Sequence, residues 1–386
     1  MKFKNKISDS IESRFSKLAK HKNKNKEKIY SLGLGEPYFE TPKSISKKAF
    51  TSIISGNTRY SDAKGSFNLR KIISTKYNKK YNIDSSPNHF LITPGSKFGL
   101  YLVLKSILNP GDSIINISPC YPSYEPQIYL SEPKAKIITI NLEKSFDLNI
   151  SKLKKKITTK TKAIIINSPN NPTGKIYTEK ELIEIYNLLK KNKCWIILDL
   201  IYEDLSYLNH NIINNKHILN YEKLILVSGF SKSYSMTGWR IGYIFTKNKL
   251  LDLMFKINQH LITNVPLFIQ DASIEALKNH DNQIKKFNKE LKLNYEYLLL
   301  KLSKLGFKIP SYVGGMFIFI DISKFGLKSD IFCEKLLNEY KVAATPGIFF
   351  GSSWDSHIRI SLSNYKNEFK LAINKLANFI SSLKNN

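Results

Sequence analysis

An α/β fold organised around a mainly parallel sheet is what this 386-residue chain predicts, and three patterns predict it. Short apolar runs at 90–93, 113–117, 163–167, 195–199 and 224–227 suit strands buried on both faces. Amphipathic stretches of mixed charge near 44–55, 66–80, 96–107 and 178–192 alternate with them, and such alternation argues for parallel pairing. From about 280 a long lysine-rich helical stretch precedes Gly314-Gly-Met-Phe-Ile-Phe-Ile-Asp321 and Ile358-Arg-Ile-Ser361, which read as short strands of a second, smaller unit. The expected division is an N-terminal arm that forms part of the small unit (1–44), a large ligand-binding unit (45–278) and a C-terminal small unit (279–386).

Composition narrows the class. A hydrophobic content of 42% with 24% charged residues is ordinary for a globular enzyme, which argues against a disordered chain. No apolar run approaches the roughly 18 residues that span a bilayer. The start, Met1-Lys-Phe-Lys-Asn-Lys, lacks the apolar stretch of a secretory signal. Cys120, Cys194 and Cys333 are far apart and match no metal spacing, so they read as reduced thiols of a cytoplasmic protein.

The net charge of +29 invites a nucleic-acid reading. Only five of the 60 basic residues are arginine, however, and the lysines are spread along the whole chain. That is a compositional bias rather than a basic groove, and nucleic acid is not an expected partner. In a chain that defaults to lysine, each arginine suggests a task needing a planar, two-pronged donor.

The candidate chemistry follows the strand ends, where open α/β sheets bind ligands. Thr93-Pro-Gly95-Ser96-Lys97 opens a helix directly after a strand, and backbone amides at a helix start form a natural phosphate site with the serine hydroxyl. Ser168-Pro-Asn-Asn171-Pro-Thr-Gly174 is stiffened by two prolines and would aim one amide side chain repeatably. Asp199 ends the run Trp195-Ile-Ile-Leu, where a carboxylate is costly unless it meets a cation; Tyr202 follows three residues later. In Ser228-Gly-Phe-Ser-Lys232-Ser-Tyr-Ser-Met-Thr-Gly-Trp-Arg240-Ile-Gly-Tyr243, a lysine among small hydroxyl residues is able to form a Schiff base with an aldehyde cofactor, and an arginine is able to hold that cofactor's phosphate.

These motifs, in this order, resemble the class I/II aminotransferases that use pyridoxal 5'-phosphate. The resemblance runs from about Ser31 to Ser363 and implies a large unit with a seven-stranded, mainly parallel sheet between helices, plus a smaller α+β unit. It implies that Lys232 carries the cofactor and, once displaced by substrate, shuttles a proton at the substrate's α-carbon. Asp199 would keep the pyridine nitrogen protonated, while Tyr202 and Asn171 would contact the ring hydroxyl. Gly95, Ser96, Lys97, Ser231 and Arg240 would surround the phosphate, and Tyr121, in Pro119-Cys-Tyr121-Pro-Ser-Tyr124, would stack on the ring. The family often has a hydroxyl three residues before the lysine; here Gly229 stands there, with Ser231 or Ser228 as possible substitutes.

Arg359 matches the family arginine that clamps the substrate's α-carboxylate, and Gly35, in Gly33-Leu-Gly-Glu-Pro37, matches the loop meeting the same group. Asn57-Thr-Arg59-Tyr60-Ser-Asp-Ala-Lys-Gly65 resembles the segment that reaches a partner subunit's site, which implies a homodimer with Tyr60 on the partner's cofactor phosphate.

Three functions compete: an aminotransferase, a carbon–sulfur lyase of the same fold, and the sensing domain of a transcription regulator. The roughly 30 residues before the first motif are too few for a DNA-binding domain, and the Asn-Asn-Pro-Thr-Gly turn looks like the transaminases. For the donor, Lys97 and Ser10 resemble residues of bacterial aspartate aminotransferases, where the lysine faces a distal carboxylate. Aspartate with 2-oxoglutarate as acceptor leads; aromatic amino acids, alanine and LL-diaminopimelate are the alternatives.

Overall fold

The computed structural model describes residues 28–206, 213, 215–311 and 314–383. Twelve strands are formed among them: β1 (Tyr30–Ser31), β2 (Phe90–Thr93), β3 (Ser113–Ser118), β4 (Lys136–Asn141), β5 (Thr161–Asn167), β6 (Trp195–Asp199), β7 (Leu224–Gly229), β8 (Gly242–Phe245), β9 (Phe317–Asp321), β10 (Val342–Ala343), β11 (Thr345–Pro346) and β12 (His357–Ser361).

Seven of them make one sheet in the order β2-β8-β7-β6-β5-β3-β4. β8 runs antiparallel to both of its neighbours, and the other pairs are parallel. Alternate residues feed two separate cores, one on each face. In β6, Ile196 and Leu198 join one cluster, while Trp195 and Ile197 join the other. That two-sided burial is why the central strands read as unbroken apolar runs. The edge strand β4, Lys136-Ile-Ile-Thr-Ile-Asn, is mostly exposed or half-buried and lacked this signal.

The helices Lys43–Ile54, Phe67–Tyr81, Ser96–Ile107, Glu179–Lys191 and Asp281–Ser303 lie within two residues of the stretches expected from periodicity. Thr178 and Glu181 cap the fourth of them reciprocally.

The smaller unit holds the antiparallel sheet β11-β12-β9 and the parallel pair β1–β10. β1 comes from the front of the described chain, and Leu32 continues the link: its amide donates to Ala343 and its carbonyl accepts from the Ser361 amide, each at 2.7 Å. The N-terminal segment is thereby fastened beside β12, so residues 33–36 arrive next to Arg359.

Two close approaches place the start of helix Ser96–Ile107. Gly95 has φ +82°, and a Cβ there would lie 2.5 Å from Arg240 Nη2. A Cβ at Gly242 would lie 2.4 Å from the Ser96 nitrogen and 2.8 Å from the Ser228 carbonyl oxygen, both fixed backbone atoms. Gly242→Ala must push β8 away from the helix start. It is expected to lower unfolding free energy by about 1–3 kcal/mol in chemical denaturation, and unchanged stability would show that the helix start yields freely.

Candidate active site

The carboxyl ends of β2, β3, β5, β6 and β7 surround a cavity of about 400 Å³, within the range of small-molecule sites. Its floor is Asp199, 9% exposed at the last position of β6. Oδ2 accepts from the Tyr124 hydroxyl at 2.7 Å and Oδ1 from the Ile201 amide at 3.1 Å. Burial pushes this carboxyl above its ordinary range, and those two donors pull the other way, followed by the charge of Lys232. Both bonded donors are neutral, so a buried carboxylate faces the cavity with room for a cation.

The turn after β6 is pinned from behind. Glu203 Oε2 accepts from Lys80 at 2.8 Å and also from the Tyr81 hydroxyl; Lys80 reaches Asp204 as well, at 3.0 Å. This cluster ties helix Phe67–Tyr81 to the segment that carries Asp199 and Tyr202.

Lys232 projects from the loop after β7, and its Nζ donates to the Gly35 carbonyl at 2.7 Å. Burial lowers this amine to about 8; Arg359 and Arg240 add to the effect, and Glu36 opposes it. Glu36 is itself held by the Thr237 hydroxyl. A lysine poised near neutrality is suited to nucleophilic attack and to proton transfer.

One end of the cavity is suited to an anion. Helix Ser96–Ile107 begins at Gly95 without a side-chain cap, so its first amides are ordinary orphan donors. Arg240 stands over Gly95, anchored by Nη1 donating to the Thr237 carbonyl at 2.8 Å. Ser231 lines this cavity. Ser228 does not substitute here: its hydroxyl donates to the Leu200 carbonyl and to Glu203 below the site. A Cβ at Gly229 would lie 3.0 Å from both Gly242 Cα and the Ile241 carbonyl oxygen, so the hydroxyl residue that the family often has there would require β8 to give way by a few tenths of an ångström.

The other end centres on Arg359, 1% exposed. Nη1 donates to Asn171 Oδ1 at 2.9 Å and Nη2 to the Gly33 carbonyl at 2.6 Å. The guanidinium carbon lies 4.1 Å from the Phe317 ring centre and 5.0 Å from that of Phe350, which fixes its plane. Burial lowers Arg359 to about 10, against the pull of Tyr202 and Tyr121. Asn171 is also a partner of Tyr202, whose hydroxyl burial pushes well up. A Cβ at Gly35 would stand 3.9 Å from Arg359 Nη1.

Of the residues singled out in the sequence, Gly35, Ser96, Lys97, Tyr121, Asn171, Asp199, Tyr202, Ser231, Lys232, Arg240 and Arg359 line this one cavity. Gly95 lies just behind the wall, beneath Arg240. Tyr60 is not brought to it: the side chain is 88% exposed on the outer surface. Lys97 is exposed at the rim with its ammonium 5.7 Å from the Tyr121 ring centre. Ser10 lies outside the described residues. Sequence reasoning missed Tyr124, the carboxylate's hydroxyl partner, and Asn167, which holds the turn carrying Asn171. The only signal for Tyr124 was its place three residues beyond Tyr121, at the start of helix Tyr124–Ser131.

Comparison with known proteins identifies the family of the chain. A model of the family described as aminotransferase class I and II matches residues 27–376. The chain belongs to that family and is an aminotransferase. It is 35% identical to a (5-formylfuran-3-yl)methyl phosphate transaminase of Methanocaldococcus jannaschii, with 92% of each chain covered. It is 31% identical to an aspartate aminotransferase of Thermotoga maritima, with 93% of each covered. Among solved structures, the aromatic aminotransferase of Pyrococcus horikoshii superposes with a TM-score of 0.87 at 30% identity, over 92% of this chain and 96% of that one.

Tyr124→Phe removes the hydroxyl partner of Asp199 while keeping the ring. A hydrogen bond to a charged group contributes about 1.5–3 kcal/mol, so kcat/KM for transamination is expected to fall at least about tenfold. Steady-state kinetics decide it; unchanged turnover would mean that the Ile201 amide suffices to hold the carboxylate.

Proposed function

We propose that the protein is a pyridoxal-phosphate-dependent aminotransferase acting first on aspartate, with 2-oxoglutarate as acceptor. The observation that carries the cofactor reading is the gathering of Lys232 and Arg240, from the loop after β7, with Asp199 of β6 and Arg359 of β12, three separate segments, around one cavity. The residues fit the group: a buried carboxylate with neutral partners suits a ring nitrogen that carries a proton, and the helix start with Arg240 suits a phosphate.

When bound, pyridoxal 5'-phosphate supplies an electron-withdrawing ring that stabilises negative charge on the substrate carbon attached to it. In this reading Asp199 holds a proton at the ring nitrogen, and Tyr202 and Asn171 address the ring hydroxyl. The amides of Ser96 and Lys97, Ser231 and Arg240 hold the phosphate, while Tyr121 covers one face and excludes water. Arg359 grips the substrate's α-carboxylate through two parallel hydrogen bonds, turning its α-carbon toward Lys232. The lysine amine, lowered to about 8, then both takes and returns the α-proton near neutral pH.

Aspartate is preferred because Lys97 stands at the cavity rim, where a distal carboxylate needs a cation. The similar proteins act on unlike substrates by their names, so family membership leaves the donor open. A homodimer completes the reading. Phe50, Ile54, Tyr60 and Phe67 are exposed on one segment, and Leu253 and Leu261 on the helix Leu250–Ile262 beside it. The contacts Lys64–Asp252 and Asn258–Ala63 join the two. A second copy covering this apolar surface would present Tyr60 to its partner's phosphate site. A cytoplasmic location belongs to the same reading, supported by three cysteines that are free in the described structure; none of the described helices is long and apolar enough to cross a membrane.

A panel of amino donors tests the reading, following cofactor absorbance as each is added. Aspartate is expected to convert the cofactor faster than phenylalanine, alanine or LL-diaminopimelate, with 2-oxoglutarate restoring it. Lys97→Ala is expected to cost aspartate turnover about tenfold or more, in line with loss of a charge-assisted contact, and to spare phenylalanine. Equal losses on both donors would remove the acidic-substrate reading, and release of ammonia with pyruvate would point to the lyase.

A further inference from the structure

Strand register puts Asn167 beside Asp199, because the two are partners at the last positions of β5 and β6. Asn167 is 4% exposed, and both ends of its amide are engaged. Nδ2 donates to the Asp199 main-chain carbonyl at 2.9 Å, and Oδ1 accepts from the Asn171 backbone amide at 2.7 Å. Asn171 Oδ1 accepts in turn from Arg359 Nη1 at 2.9 Å. One buried side chain thus joins the strand end bearing the floor carboxylate to the turn bearing Asn171, and through that turn to the arginine of the small unit.

We propose that Asn167 is a positioning residue that sets the spacing between the carboxylate at the cofactor ring and the arginine at the substrate carboxylate. The proposal rests on the aminotransferase reading above. Few side chains serve at this position. A serine is too short to span both backbones, and an apolar residue strands the buried Asn171 amide without its partner. The two halves of the amide are unequal: the Asp199 carbonyl also accepts from the Ser168 amide at 3.1 Å, so it keeps one donor if Nδ2 is lost. The Oδ1 bond to Asn171 therefore governs the substrate end, and the Nδ2 bond trims the position of Asp199.

Two variants separate the halves. Asn167→Leu removes both bonds at similar bulk; Asn167→Asp keeps the acceptor and replaces the donor. The holoenzyme is titrated with succinate, an unreactive dicarboxylate that reports the Arg359 end, and kcat is measured with the best donor. Asn167→Leu is expected to weaken succinate about tenfold, the scale of one buried hydrogen bond, and to lower kcat. Asn167→Asp is expected to bind succinate as the unsubstituted protein does while still losing kcat. A purely structural role would lower the unfolding temperature of both and leave succinate affinity and kcat within twofold, which overturns the proposal. If the leucine variant fails to fold, the aspartate variant decides alone: retained affinity with reduced kcat supports the proposal, and any other pattern overturns it. Failure of the unsubstituted protein to take up cofactor or to transaminate would instead remove the aminotransferase reading itself.

Discussion

A carboxylate buried at the end of β6 is the constraint around which the rest of the site is arranged. Asp199 has left water, its bonded partners are neutral, and burial drives it toward the protonated form. Such a group is expensive in a folded protein unless a cation arrives to meet it. In the proposed reading a ring nitrogen carrying a proton would meet that need, and the acid would in return keep the ring electron-poor. The opposing amine, Lys232, has been moved by the same low-polarity surroundings toward the neutral form that attack on an aldehyde requires. One cause, the burial of both side chains, thereby shifts acid and base in complementary directions.

Precision comes from the sheet. Parallel register aligns the ends of β5 and β6, so the turn bearing Asn171 and the strand bearing Asp199 share one starting line. Behind it, Lys76 and Lys80 lock Glu203 and Asp204 against helix Phe67–Tyr81, which leaves the turn after β6 little freedom. Arg359 reaches the cavity from a different sheet, and its hydrogen bond to Asn171 connects the two sheets there. The β1–β10 pairing fastens residues 33–36 to the same small unit. Movement of that unit would therefore carry both Gly35 and Arg359, one route by which substrate could be enclosed.

What the sequence disclosed was the chemistry that depends on residue type at strand ends. A lysine in a hydroxyl-rich loop, an acid closing an apolar run and arginines scarce enough to stand out are all local signals. The central strands were legible because burial on both faces leaves them uniformly apolar. β4 was not, since an edge strand facing water carries lysine and asparagine among its isoleucines. Nothing local in the sequence of β8 marked it as the strand that runs against the others. Tyr124 and Asn167 stayed hidden for a deeper reason: each acts across the sheet on a residue remote in sequence, and neither residue type is unusual where it stands. The tight fit at Gly229 likewise depends on β8 lying against β7, which no local pattern states.

In the proposed reading substrate choice belongs to the rim, where Lys97 stands, rather than to the floor. The floor is the more decisive test. Cofactor labelled with nitrogen-15 in its ring, bound to the intact enzyme, reports the protonation of that nitrogen by its chemical shift. The shift should be that of a protonated pyridine from neutral to mildly alkaline pH, and should move to the unprotonated value in Asp199→Ala. An unprotonated nitrogen in the unaltered enzyme at neutral pH would contradict the pairing of buried acid and ring on which this account rests.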